Sequence, residues 1–109
     1  MKIITLCGSL KFKNYMMHTA EEMALLGNCV LTPIYPTSEN TERTEEQLAM
    51  LKEEHFKKIE LSDAILVINV DDYIGYSTNL EIEYAKKLNK EILYYTDLIK
   101  NKTIKIFWK

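Results

Sequence analysis

The 109-residue chain has little cysteine, little glycine, no surplus of positive charge and no apolar run of membrane length. The missing apolar run predicts no transmembrane helix and no membrane partner. The net charge of -2 excludes the basic surface that attracts duplex nucleic acid. The two cysteines, Cys7 and Cys29, lack the spacing of metal ligands and fall in apolar segments. We therefore expect reduced core thiols, no bound metal and a cytoplasmic protein.

The chain has three glycines, and none of them belongs to a phosphate-binding fingerprint. Neither GxGxxG nor a Walker A sequence is present, so the usual signatures of dinucleotide enzymes and ATP-driven motors are absent and we expect no cofactor. What remains is an ordinary globular composition, with 47% hydrophobic and 28% charged residues. The length fits a single domain spanning residues 1–109.

Short apolar segments alternate with segments of helical periodicity. We predict strands at residues 2–7, 29–31, 64–68 and 91–95, and a short fifth strand or an ordered tail at 103–108. We predict helices at residues 11–26, 45–61 and 78–89. Because the strands are continuously apolar rather than alternating, they indicate a parallel α/β sheet with helices on both faces. Right-handed crossovers make this a small, doubly wound, Rossmann-like sheet of four to five strands, in the order 2-1-3-4.

The predicted strand order brings two polar loops to one crevice. Gly8 and Ser9 follow the first strand, and Asp71 and Asp72 follow the third. These two strands flank the point where the strand order reverses, and open α/β sheets bind ligands there. We expect Asp71 to orient a sugar or act as an acid/base partner, and Asp72 to contact the substrate. The alternative is a solvated pair of loop residues.

Both loops lead into the start of a helix. Glycine lets the backbone approach a ligand closely, and Gly8 and Gly75 lie in these loops. The free amides of a helix N-terminus bind anions, so Ser9, Ser77 and Thr78 are candidates to hold a phosphate or ribose hydroxyls. Ordinary turn and cap chemistry is the alternative interpretation of the same residues.

Glu81 is a charged residue on the apolar arc of the third predicted helix. At about 100° per residue, this arc also contains Leu80, Tyr84 and Leu88. A carboxylate that faces a core must be paired, capped or used. Two interpretations stay open. In one, Glu81 reaches back to the amide of Thr78 in a capping box; in the other, it is a functional carboxylate.

Histidine and tyrosine provide further candidates. His55 lies on the apolar face of the second predicted helix, which favours a packed, hydrogen-bonded histidine over a catalytic one. Tyr15, Tyr73 and Tyr76 are candidates to line a pocket in which a base stacks, although tyrosine is also common in cores and interfaces.

Three segments together resemble the nucleoside 2-deoxyribosyltransferase superfamily, which includes deoxyribosyltransferases and 2′-deoxynucleoside 5′-monophosphate N-glycosidases. Residues 6–9 (LCGS) resemble its N-terminal nucleotide-binding turn. Residues 61–64 (LSDA) resemble its approach to the strand beside the site. Residues 81–85 (EIEYA) resemble its E-x-G-Y-A helix, with Glu83 in place of the glycine.

The resemblance implies a flavodoxin-like fold, a homodimer, and a small-molecule nucleoside or nucleotide as the partner. It implies that Glu81 attacks C1′ of a 2′-deoxynucleoside or its 5′-monophosphate and expels the base, after which water or a second base resolves the glycosyl-enzyme. It also places Cys7 with Gly8 and Ser9 in the substrate-binding turn. The alternative is a non-catalytic nucleotide-binding module on the same fold. An interaction protein without a small ligand is a third interpretation.

Overall fold

The computed structural model describes residues 1–38 and 42–105, which form a parallel sheet covered by helices. The strands are β1 (Ile3–Cys7), β2 (Cys29–Leu31), β3 (Ala64–Val67) and β4 (Glu91–Tyr94). The helices are α1 (Lys13–Leu25), α2 (Glu45–Leu61), α3 (Tyr76–Lys87) and α4 (Tyr95–Lys100), with 3₁₀ turns at Leu10–Phe12 and Val70–Asp72. The order β2-β1-β3-β4, with parallel pairing throughout the described residues, confirms the predicted doubly wound α/β arrangement.

Two apolar layers enclose the sheet, one on each face. Successive residues of a strand point to opposite faces. Ile4 of β1 and Leu66 of β3 pack on the side covered by α1 and α4. Val67 packs on the other side, with Ile59 of α2 and Ile82 of α3. Because both faces are buried, most strand positions carry apolar side chains, which explains the nearly continuous apolar runs in the sequence.

Capping residues explain where α2 begins and where α1 ends. The Gln47 amide donates to Thr44 Oγ1 at 3.1 Å, and the Thr44 amide donates to Gln47 Oε1 at 2.9 Å. These reciprocal bonds form a capping box that starts α2. Gly27 follows α1 with a φ of 96°, the left-handed conformation in which glycine ends a helix.

Several predicted boundaries differ from the observed ones. The helix predicted from residue 11 starts as a 3₁₀ turn, because Ser9 Oγ accepts from the Lys11 amide at 3.3 Å and caps that turn. The strand predicted to end at residue 95 ends at Tyr94, because the Tyr95 ring packs into the core at the start of α4. For the segment at residues 103–108, predicted as a short fifth strand or an ordered tail, residues 103–105 are not a strand, and residues 106–108 lie outside the described residues.

The helices of the described residues pack against the sheet. Among them, no helix combines the length and the apolar character that crossing a membrane requires. α2 is the longest at 17 residues, and α3 has 12. These two helices cover the same face of the sheet, and they enclose the candidate site described below.

Replacing Thr44 by alanine removes the hydroxyl of the capping box, and we expect the free energy of unfolding to fall by about 1 kcal/mol. Thr44→Ser keeps the hydroxyl and is the matched control, with a much smaller expected loss. Urea unfolding followed by circular dichroism measures both variants. Equal stability of Thr44→Ala and the wild type would show that the capping box does not stabilise α2.

Candidate functional site

A cavity of about 660 Å³ opens beyond the carboxyl end of β1, between α2 and the start of α3. Its walls come from the turn after β1, the segment after β2, one face of α2 and the first turns of α3. Small-molecule sites in proteins typically enclose about 300–1,000 Å³, so this cavity has the size of a ligand site. It also lies where a doubly wound sheet is expected to bind ligands.

The cavity brings together most of the residues that the sequence singled out. Those that line it are Gly8, Ser9, Gly75, Ser77, Thr78 and Glu81. Asp71 and Asp72 are exposed and are not among the lining residues, although Tyr73, which follows them directly, is. Both aspartates have left-handed backbone conformations, with φ of 53° and 61°. Cys7 is fully buried behind the cavity surface rather than on it.

The start of α3 excludes one of the two interpretations of Glu81. α3 begins at Tyr76, Gly75 is its N-cap residue, and no side chain caps it. The predicted start at residue 78 was therefore wrong. Glu81 lies in the second turn, whereas a capping box joins the N-cap residue to the third helical residue, Thr78 here. The capping interpretation is excluded, and the Glu81 side chain instead lines the cavity.

Side chains from three elements meet beside the cavity: Cys7 from β1, His55 from α2 and Glu81 from α3. His55 Nε2 lies 3.6 Å from Cys7 Sγ and 3.7 Å from Glu81 Oε1. We call this group the Cys7–His55–Glu81 cluster. Cys7 is 0% exposed, His55 is 8% exposed, and the Glu81 side chain is 19% exposed. The cluster is therefore largely withdrawn from water, with Glu81 its most accessible member.

Burial controls the protonation of the two ionisable groups that line the cavity in this cluster. It raises the pKa of Glu81 to about 7, and a hydrogen bond with Cys7 opposes the shift only in part. Burial, together with the positive charge of Lys58, lowers the pKa of His55 to about 4, while Glu54 acts in the opposite direction. His55 is therefore uncharged near neutral pH, and its contact with Glu81 is not an ion pair there.

The Cys7 thiol reinforces this arrangement. Burial and the neighbouring charge of Glu81 raise the pKa of Cys7 well above its ordinary value, so the thiol keeps its proton and can donate to the carboxylate. Among the described residues, no lysine or arginine forms an ion pair with Glu81. An ionised Glu81 is therefore poorly stabilised by its surroundings, in agreement with its raised pKa.

The sequence did not reveal the contact between His55 and Glu81. The expected packed histidine is present, since His55 is buried and contacts Cys7. Its approach to Glu81 depends on the packing of α2 beside α3, which the spacing of residues along one helix does not encode. Leu48, Leu51 and His55, at helical spacing, all line the cavity, so the apolar face of α2 was the available signal.

Aromatic rings and helix amides give the cavity two further kinds of surface. Tyr73, Tyr76 and Phe56 line it and offer flat apolar faces, whereas Tyr15 packs edge-on against Tyr95 at 6.1 Å. The first amides of α3 also border the cavity. In an α-helix these groups have no intrahelical acceptor, and they carry the positive end of the helix dipole, so they suit an anion.

Glu81→Gln tests the protonation of the cluster. The folded-state pKa of Glu81, about 7, lies above its ordinary 4.5, so its contribution to stability is fully present below pH 4.5 and is lost as the pH rises to about 7. Glu81→Gln removes this loss. We therefore expect the variant to gain on the order of 2 kcal/mol relative to the wild type between acid and neutral pH. Chemical unfolding across this range measures the gain.

The matched control for this experiment is Glu83→Gln, which changes an exposed glutamate two residues along the same helix. It should leave the loss of stability attributed to Glu81 in place. Parallel stability profiles for Glu81→Gln and the wild type would contradict the raised pKa of Glu81.

No protein-family model and no curated protein matches the sequence. Among solved structures, a 2-desoxiribosyltransferase from Leishmania mexicana is similar, with a TM-score of 0.65 and 18% sequence identity. The similarity covers 98% of this chain and 75% of that one. The chain therefore has the fold of that deoxyribosyltransferase.

Proposed function

We propose that this chain cleaves or transfers the N-glycosidic bond of a 2′-deoxynucleoside or its 5′-monophosphate, with Glu81 as the nucleophile. The position of Glu81 carries the proposal. Its carboxyl group is only 19% exposed and lines a cavity of ligand size. Because a deoxyribosyltransferase has the same fold, we interpret this carboxyl group as the nucleophile of a glycosyl transfer.

The reaction begins when a Glu81 oxygen attacks C1′ of the sugar. The bond from C1′ to the base breaks, the base leaves with the electron pair, and a glycosyl ester of Glu81 forms. Water or a second base then attacks C1′ and releases the carboxylate. A partly desolvated carboxylate suits both stages, because it is a strong nucleophile and its negative charge stabilises an oxocarbenium-like transition state. The neutral His55 leaves this charge unpaired.

The other surfaces of the cavity would each bind a different part of the substrate. The first amides of α3, with Ser77 and Thr78, would bind a 5′-phosphate or sugar hydroxyls at the positive end of the helix dipole. The turn at Gly8 and Ser9 would approach the sugar through its backbone. Tyr76, with its exposed ring at the cavity, would stack on the base.

Asp71 is proposed as the sugar-orienting group or acid/base partner. Its segment adjoins the cavity through Tyr73 and Gly75, both of which line it. Because the side chain of Asp71 is itself exposed and not part of the lining, this role requires the 3₁₀ turn to move toward the cavity when the substrate binds. Asp72 would contact the substrate through the same movement. Cys7 would act indirectly, through its hydrogen bond to Glu81.

A second candidate function is nucleotide binding without cleavage. The observation that favours it is the scarcity of a second acid at the cavity. Among the described lining residues, the only other carboxylate is that of Glu54, and its Oε2 lies 2.7 Å from Lys58 Nζ. A leaving base needs a proton from an acid, and Glu54 already contacts Lys58 through one carboxylate oxygen.

Release of free base from a panel of 2′-deoxynucleosides and their 5′-monophosphates, followed by chromatography, tests the proposal. We expect Glu81→Gln to lower kcat/KM by roughly a thousandfold or more, because an amide cannot form the glycosyl ester. Glu83→Gln is the control and should retain activity. Release that requires an added acceptor base identifies a transferase, whereas release in water alone identifies a hydrolase. No release from the folded wild type, or undiminished release in Glu81→Gln, would contradict the nucleophile assignment.

The pH dependence of base release follows from the protonation of Glu81. The nucleophile must be ionised, and its pKa is about 7, so we expect kcat/KM to rise about tenfold per pH unit on the acid side and to level off above about pH 7. The control variant Glu83→Gln should show the same rise of kcat/KM on the acid side. A kcat/KM that is flat across this range would show that Glu81 does not need to ionise within it.

A further inference from the structure

We propose that Cys7, His55 and Glu81 form a three-ligand site for a divalent transition-metal cation, with Zn²⁺ as the ion that the ligand set fits best. This site goes beyond the proposed function, in which no metal takes part. It uses a buried thiol and a buried imidazole that glycosidic cleavage leaves without a direct chemical role.

Two of the separations between the three side chains are close to those of a tetrahedral site. With Zn–S of about 2.3 Å and Zn–N of about 2.0–2.1 Å, tetrahedral geometry separates sulfur and nitrogen ligands by roughly 3.6 Å, and nitrogen and oxygen ligands by roughly 3.4 Å. His55 Nε2 lies 3.6 Å from Cys7 Sγ and 3.7 Å from Glu81 Oε1. All three donor atoms lie within 4.8 Å of one another. Small side-chain rotations are therefore sufficient to place the three atoms around one ion.

The chemistry of the donors selects the ion. A thiolate, an imidazole nitrogen and a carboxylate oxygen form a mixed set that suits Zn²⁺ and disfavours Mg²⁺ and Ca²⁺, which prefer oxygen ligands alone. Metal binding displaces the thiol proton of Cys7 to solvent. The resulting thiolate and the Glu81 carboxylate together carry two negative charges, which balance a divalent ion in a site that largely excludes water. Metal binding also supplies the cation that Glu81 lacks among the described residues.

The site would be open on one side. His55 and Glu81 both line the cavity, while Cys7 lies behind it with 0% exposure. A bound ion would therefore direct its fourth coordination position toward the cavity, the arrangement of three protein ligands and one exchangeable ligand. His55 Nδ1 is buried and has no hydrogen-bond partner among the described residues, so with the proton on Nδ1 the ring presents the lone pair of Nε2 to the metal.

Titration of the metal-free protein with Co²⁺ tests the site directly, because a cobalt–thiolate bond gives a charge-transfer absorption band in the near ultraviolet. We expect the band to saturate at one equivalent and to disappear when Zn²⁺ displaces Co²⁺. The chain supplies a matched control for each ligand, since it has two cysteines and two histidines. Cys29→Ser, His18→Asn and Glu83→Gln should keep the band. Cys7→Ser should abolish it, and His55→Asn and Glu81→Gln should weaken Co²⁺ binding at least about tenfold.

The site would be overturned by the absence of a band in the wild type at excess Co²⁺, or by a band that is lost in Cys29→Ser. The second result needs no Cys7 variant, so the test holds even if Cys7→Ser does not fold. A band that persists in folded Cys7→Ser would also overturn it.

One consequence rests on the proposed function. A Glu81 oxygen bound to Zn²⁺ cannot attack C1′, so Zn²⁺ should inhibit base release and a chelator should restore it. The cobalt band is measured without substrate, so failure of the proposed function leaves the metal test intact. Full activity at a Zn²⁺ concentration that saturates the cobalt-competition curve would show that the bound metal does not involve Glu81.

Discussion

The burial of the Glu81 carboxyl group, with no paired cation among the described residues, is the constraint on which the site depends. Removing a carboxylate from water is unfavourable unless charge or hydrogen bonding compensates. Here the compensation is small: the described residues offer a hydrogen bond with Cys7 and a neutral imidazole 3.7 Å away. The fold therefore holds Glu81 with a pKa of about 7, where the group can change protonation state under physiological conditions.

The sheet makes this burial tolerable because it fixes the three elements that surround Glu81. β1 ends at Cys7, in the middle of the strand order, and α2 and α3 cover the same face of the sheet. Ile59 and Ile82 anchor these helices in one apolar layer with Val67 of β3. Ordinary core packing thus supplies the free energy that holds the cluster together. The polar side chains at the edge of this core can therefore be those that a reaction needs.

The sequence predicted the parts of this architecture that depend on local pattern. Continuous apolar runs gave the strands and their parallel pairing, and the arc containing Glu81 identified a carboxylate with an unusual location. The sequence did not predict α4, because six residues are too few to show a helical period. It also misplaced the start of α3, because Ser77 and Thr78 are better N-cap residues by type than Gly75, which occupies that position.

Contacts between elements were harder to predict than the elements themselves. His55 and Glu81 are 26 positions apart, and their approach depends on how far α2 extends over the sheet, which no local pattern encodes. Asp71 and Asp72 illustrate the opposite difficulty. Strand order places their segment at the site's edge of the sheet, but a left-handed 3₁₀ turn leaves both exposed and outside the cavity lining. Strand order predicts which loops meet, but not which way their side chains point.

Carbon-13 NMR of the protein labelled at its glutamate carboxyl groups would follow the titration of Glu81 directly, with Glu81→Gln identifying the resonance. The account predicts a pKa near 7 for this one group, well above the value of about 4.3 that an unperturbed glutamate shows. A pKa of Glu81 at or below its ordinary value would contradict the account, because it would show that water or a cation stabilises the carboxylate in the folded protein.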